Sequence, residues 1–250
     1  MCAVLVILGC SGENVDELPL FSELEDFGKS SGWQGGGASS SSVRSSSSFV
    51  NNVTCSVNFR TVTIGTQIWM AENLNCNVGG SKCYDNSESN CNEYGRLYDW
   101  TTAMNLPSSC NSSYCSSQIQ SPHRGICPSG WHIPNNADWD KLYRYADGTS
   151  GTSSPYDSPT AGKYLKATSG WYNNGNGTDQ YGFSALPGGN GYSGDGGFGY
   201  ENVGLYGGWW SASEGSSYGA YYRYMYYSSD GAYLSGYDKS DLRSVRCVQD

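Results

Sequence analysis

Residues 125–142 read GICPSGWHIPNNADWDKL, and the fold turns on this stretch. Pro128 and Gly130 make a turn, Trp131 to Pro134 form a short extended piece, and Asn135 or Asn136 caps a helix. On that helix Trp139, Leu142, Tyr143 and Ala146 are spaced i, i+3, i+4 and i+7, so one face carries two large aromatics. A helix with that stripe is a core element. Cys127, just before the turn, offers a covalent anchor for it.

The flanking chain supplies what packs around the helix. Residues 59–64 (FRTVTI) and 67–70 (QIWM) read as two strands about a Gly65-Thr66 turn. A second helix is expected to begin near Tyr98, with Trp100, Ala103 and Met104 facing inward. Beyond the central helix, residues 148–162 read as an exposed loop, and 163–171 and 182–186 as short buried strands. Residues 188–208 are dense in glycine, interleaved with Tyr192, Phe198, Tyr200 and Tyr206, and read as a long loop. Residues 220–227 and 232–236 flank a Ser228–Gly231 turn as a hairpin, and 244–248 close the sheet. Alternation there puts Val245 and Cys247 on one face and Arg246 on the other.

Composition narrows the class. The 250 residues include 34 Gly, 21 Tyr, 8 Trp and 10 Cys, with 15% charged and a net charge of -9. Glycine and tyrosine at this level fit a β-leaning protein with an aromatic core and long loops. An acidic surface repels nucleic acid, so a role in binding DNA or RNA is excluded from the reading.

The first residues give an address. The apolar run ending Ile7-Leu8-Gly9-Cys10 is too short to span a membrane and resembles a bacterial lipobox, with Cys10 as the lipidated residue. Acylation there anchors the chain to the outer membrane. No Lys or Arg precedes the run, so a signal of this type needs a start further upstream; the rival reading is a buried apolar terminus. Residues 11–48 follow as a tether, Ser/Gly-rich from Lys29 onward, and composition changes at Phe49, where the globular domain 49–250 begins. Glu13, Asp16 and Glu17 resemble the acidic tether of surface-exported lipoproteins.

With Cys2 removed and Cys10 lipidated, Cys55, Cys76, Cys83, Cys91, Cys110, Cys115, Cys127 and Cys247 remain, an even set that argues for disulfides in an exported protein. Zinc is the rival, but only Cys110 and Cys115 approach a ligand spacing, and no second pair or histidine accompanies them. Sequence alone leaves the pairing open.

Six segments in order carry a resemblance: 63–74 (TIGTQIWMAENL), 94–100 (YGRLYDW), 125–134 (GICPSGWHIP), 182–189 (GFSALPGG), 209–214 (WWSASE) and 244–247 (SVRC). Together they are very similar to the Fibrobacter succinogenes major paralogous domain, over about residues 56–250. The resemblance implies an α+β, C-type-lectin-like fold of the kind used by formylglycine-generating enzymes. It would have small antiparallel sheets, N- and C-terminal strands meeting in one of them, two helices and long Gly-rich loops. It also implies pairs Cys127–Cys247, Cys83–Cys91 and Cys110–Cys115, which leaves Cys55–Cys76.

No catalytic set emerges. The formylglycine-generating site needs a cysteine pair in the C-terminal half, and this chain has only Cys247 there. His132 reads as a structural hydrogen-bonding residue and His123 as an exposed loop residue. Glu72, Glu93, Asp99, Asp138 and Glu214 show no spacing that selects an acid/base pair. The lectin calcium motif is missing, since Ile133 precedes Pro134-Asn135 and no Trp-Asn-Asp occurs. No cofactor is expected, although Asp195 or Asp230 leaves room for a structural calcium. Trp171, Tyr172, Tyr192, Tyr200 and Tyr206 are the surface candidates, because flat amphipathic rings stack on sugars; packing of their own loop is the plainer alternative. The reading is a lipid-anchored surface module without catalysis, whose partner is a polysaccharide or another surface protein. A structural envelope component is the second reading.

Overall fold

The computed structural model describes Cys55 and residues 58–149, 157–194 and 197–250. The Cys10 segment, the Ser/Gly-rich tether, the boundary at Phe49, Asp195 and part of the loop 148–162 lie outside the described residues.

The first sheet has four strands: β1 (Thr61–Ile64), β2 (Gln67–Met70), β11 (Val248–Gln249) and β4 (Trp131–His132), in that order. All its pairings are antiparallel, and the last strand of the chain lies between β2 and β4. The beginning and end of the domain therefore meet in one sheet. The second sheet has seven strands: β3 (Leu97–Tyr98), β5 (Gly188–Gly194), β6 (Gly197–Val203), β7 (Tyr206–Glu214), β8 (Gly219–Tyr226), β9 (Tyr233–Asp238) and β10 (Arg243–Ser244). It is mixed, because β7 runs parallel to both β5 and β10.

Among the described residues four α-helices accompany the sheets: α1 (Glu88–Tyr94), α2 (Trp100–Met104), α3 (Asn136–Ala146) and α4 (Ala161–Leu165). The central one, α3, starts as its sequence requires. Asn135 Oδ1 accepts from the N–H groups of Ala137 and Asp138, while Asp138 Oδ2 accepts from Asn135 N–H, a reciprocal capping box. Its stripe of Trp139, Leu142, Tyr143 and Ala146 is buried. Trp139 touches Trp69 of the first sheet at 4.9 Å and Trp209 of the second at 6.3 Å. One side chain thus joins both sheets. Strand alternation in β7 sends the adjacent Trp209 and Trp210 to opposite faces, one into each of the two large core clusters.

Four disulfides cross-link the domain: Cys55–Cys76, Cys83–Cys91, Cys110–Cys115 and Cys127–Cys247. The last spans 120 residues and ties the entry to β4 to the entry to β11. On the chain-entropy account a loop of that length stabilises by roughly 5 kcal/mol.

Three expectations are corrected. Residues 188–208 are not a loop; they form β5, β6 and the start of β7. Glycine weakens a strand on its own, but here it admits close neighbours: a Cβ on Gly199 would stand 2.8 Å from the Tyr192 ring that crosses it. Residues 163–165 end helix α4, whose Ala161 N–H is held by Ser158 Oγ at 2.9 Å, and a single parallel bridge, Lys166 to Ala185, replaces the expected strand pair. The helix expected near Tyr98 begins at Trp100, because Asp99 caps it by accepting from Thr102 N–H at 2.7 Å. Leu97 and Tyr98 belong to β3 instead.

Candidate functional site

Arg246 is fully buried between the two sheets and donates four hydrogen bonds. Its Nε and Nη2 donate to Asn73 Oδ1 at 3.1 and 2.7 Å, Nη1 donates to Phe183 O, and Nη2 also donates to Ser184 O. The guanidinium lies 4.3 Å from the Phe183 ring centre and 5.9 Å from that of Trp209. Burial lowers its pKa to about 9, with Asp179 and Glu72 opposing the shift, so it stays charged at neutral pH. Asn73 Oδ1 also takes the Trp209 Nε1–H at 2.8 Å. Residues from four of the six signature segments are therefore spent on one structural knot: Asn73, Phe183 and Ser184, Trp209, and Arg246.

The other chemistry-bearing residues are committed in the same way. All eight described cysteines are in disulfides, including Cys83 and Cys91, which with Glu88 form a group within 4.8 Å. His132 bridges Asp250 at 2.7 Å and Asp138 at 3.4 Å. Burial pulls its pKa down, but hydrogen bonds and charge from Asp138 and Asp250 outweigh that and leave it raised. His123 is a correction: it is buried, accepts from Gln120 N–H at Nδ1, and meets Met104 O through Nε2 at 2.8 Å. Burial lowers its pKa despite the Met104 contact. Among the carboxylates, Asp99 and Asp138 cap helices, Glu72 pairs with Arg60, and Glu214 holds the buried Lys239 at 2.7 Å.

The five aromatic surface candidates separate. Trp171 and Tyr206 are each 4% exposed, which corrects their reading as surface residues. Trp171 donates Nε1–H to Ala185 O, and the Tyr206 hydroxyl accepts from Arg243 Nη1. Both sit where a polar tip finds a buried partner, which a sequence pattern does not reveal. Tyr172, 61% exposed, stands edge-on to Tyr227 at 5.4 Å. Tyr192 and Tyr200 lie on the β5–β6 hairpin. Tyr192 is 40% exposed, and Tyr200 continues a row from buried Tyr84 (5.2 Å) to Phe198 (5.0 Å), itself 48% exposed. The Tyr200 hydroxyl contacts Asn86 Oδ1 at 3.0 Å, and Asn190, Glu201 and Asn202 are hydrogen-bonded together beside it. Sequence reasoning did not single out Phe198 as a candidate, although the i, i+2 spacing to Tyr200 was available.

Multiple disulfides mark a domain of an extracytoplasmic, oxidising compartment, and among the described residues no helix is long and apolar enough to cross a membrane. The class is thus a disulfide-bonded extracytoplasmic α+β domain. The chain belongs to the Fibrobacter succinogenes major domain family, whose model matches residues 62–249. No curated protein and no solved structure matches the chain.

Proposed function

We propose that the chain is a non-catalytic binding module, anchored to the outer membrane through lipid on Cys10 and displayed on the cell surface, that docks on polysaccharide through the β5–β6 hairpin. One observation carries this: the Tyr84–Tyr200–Phe198 row runs from the core out to an exposed ring. Rings held by their neighbours lose little freedom on stacking against a sugar face. The engagement of the described cysteines and both histidines in structural contacts supports the absence of catalysis.

The disulfide-intact chain should be retained by at least one of insoluble cellulose, xylan and chitin, saturably and in competition with soluble fragments. Phe198→Ala should weaken retention while leaving the circular dichroism spectrum unchanged. Clean absence across the panel would sink the polysaccharide reading. A surface protein is then the favoured partner, for a specific reason: β6 is a sheet edge with exposed Phe198 and Val203, open to an added strand.

A further inference from the structure

Residues 173–176 and the turn after β8 line an open cleft of about 460 Å³, within the size range of small-molecule sites. Its walls are fixed from behind. Lys166 is 1% exposed, donates from Nζ to Tyr226 O at 3.3 Å and Ser229 O at 2.9 Å, and lies 5.1 Å over the Trp171 ring. Trp171 N–H donates to Asn176 Oδ1 at 3.0 Å. Gly175 packs so tightly that a Cβ there would collide with the Tyr227 carbonyl oxygen.

The front of the cleft is not hydrogen-bonded, although the Asp230 charge acts on Lys166. The side chains of Asn173, Asn174 and Asp230 line it and make no hydrogen bond with the described residues. Asn173 and Asn174 sit consecutively in the left-handed region, with φ 49° and 60°. Tyr172, adjoining Asn173 in sequence, is exposed and stands edge-on to the cleft residue Tyr227.

We propose that this cleft binds one neutral sugar unit of a glycan chain. The exposed Tyr172 ring, next to Asn173, meets its CH face with Tyr227 edge-on behind it, the Asn173 and Asn174 amides both donate to and accept from its hydroxyls, and the Asp230 carboxylate accepts from them. Neutrality follows from the charges. Lys166 already shares its ammonium between two carbonyls and a ring, Asp230 repels a uronate, and the chain's net charge of -9 opposes a polyanion. The inference rests on the glycan-binding reading but uses a surface distinct from the hairpin.

The test is calorimetric titration of the full disulfide-intact chain with cellohexaose, xylohexaose, mannohexaose and an oligogalacturonate. At least one neutral probe should bind, and Tyr172→Ala and Asn174→Gly, which keeps the positive φ, should each weaken it by about tenfold or more. Both variants should keep the wild-type unfolding midpoint, and each should cause the same loss when introduced into Phe198→Ala. Wild-type binding in both cleft variants with loss in Phe198→Ala would overturn the cleft and leave the hairpin reading intact. Binding of the galacturonate alone would overturn the ligand class. No binding of any probe would overturn the cleft proposal, while the insoluble-polysaccharide assay decides the hairpin separately.

Discussion

Around Arg246 the aromatic rings are closed in on every side: Trp69, Trp139, Phe183 and Trp209 pack edge or tilt against one another at 4.9–6.5 Å with none exposed to solvent. On the β5–β6 hairpin and at Tyr172 the rings open outward, and Tyr172, Tyr192 and Phe198 keep large accessible faces. The closed set is drawn from, or packs on, the segments that identify the family. The open set falls outside those segments. Family membership therefore speaks to the scaffold, and the ligand question belongs to residues the family motifs do not contain.

The comparison breaks most sharply at Arg246. Arg246→Ala removes every donor to Phe183 O and Ser184 O and opens a cavity under Trp209, so unfolding should become easier by about 3–5 kcal/mol. A urea midpoint that hardly moves would show that the knot is not what holds the sheets together.

Tyr206 and Tyr172 sharpen it further. Tyr206→Ala should cost about 3 kcal/mol of stability, as a buried aromatic whose hydroxyl accepts from Arg243, whereas Tyr172→Ala should stay within about 0.5 kcal/mol. Equal losses would erase the distinction between closed and open rings. A binding defect in Tyr206→Ala thus reports on folding, and one in Tyr172→Ala reports on the ligand.

The smallest effect is at the chain end. His132 has a raised pKa in the folded state through Asp138 and Asp250, so its contribution to stability is fully present below the ordinary imidazole value of about 6.5 and is lost as pH rises through the raised folded value. Thermal midpoints of the wild type and His132→Gln, measured from about pH 5 to about pH 9, should differ most at the acid end. A gap that widens with pH would contradict the pairing.

Much of the scaffold was legible. The spacing of Trp139, Leu142, Tyr143 and Ala146 and the Asn135 cap specify α3, because helix periodicity and capping are local. The turns of the β1–β2 and β8–β9 hairpins are local too. What was hidden depends on neighbours distant in the chain. Nothing near Gly199 announces that Tyr192 lies across it, so a glycine-dense run reads as loop although it pairs as strand. Nothing near Trp171 or Tyr206 announces Ala185 O or Arg243, so both read as surface rings.

By itself the sequence determined the family, the central helix, the aromatic and disulfide-bonded character of the core and the oxidising address, since these rest on residue type and short-range spacing. The tertiary structure decided which aromatics face water, that Arg246 is a buried link between the sheets, and that Asn173, Asn174 and Asp230 meet Tyr227 at one cleft. Exposure and convergence are properties of which distant segments pack together, and no periodicity within one segment encodes them.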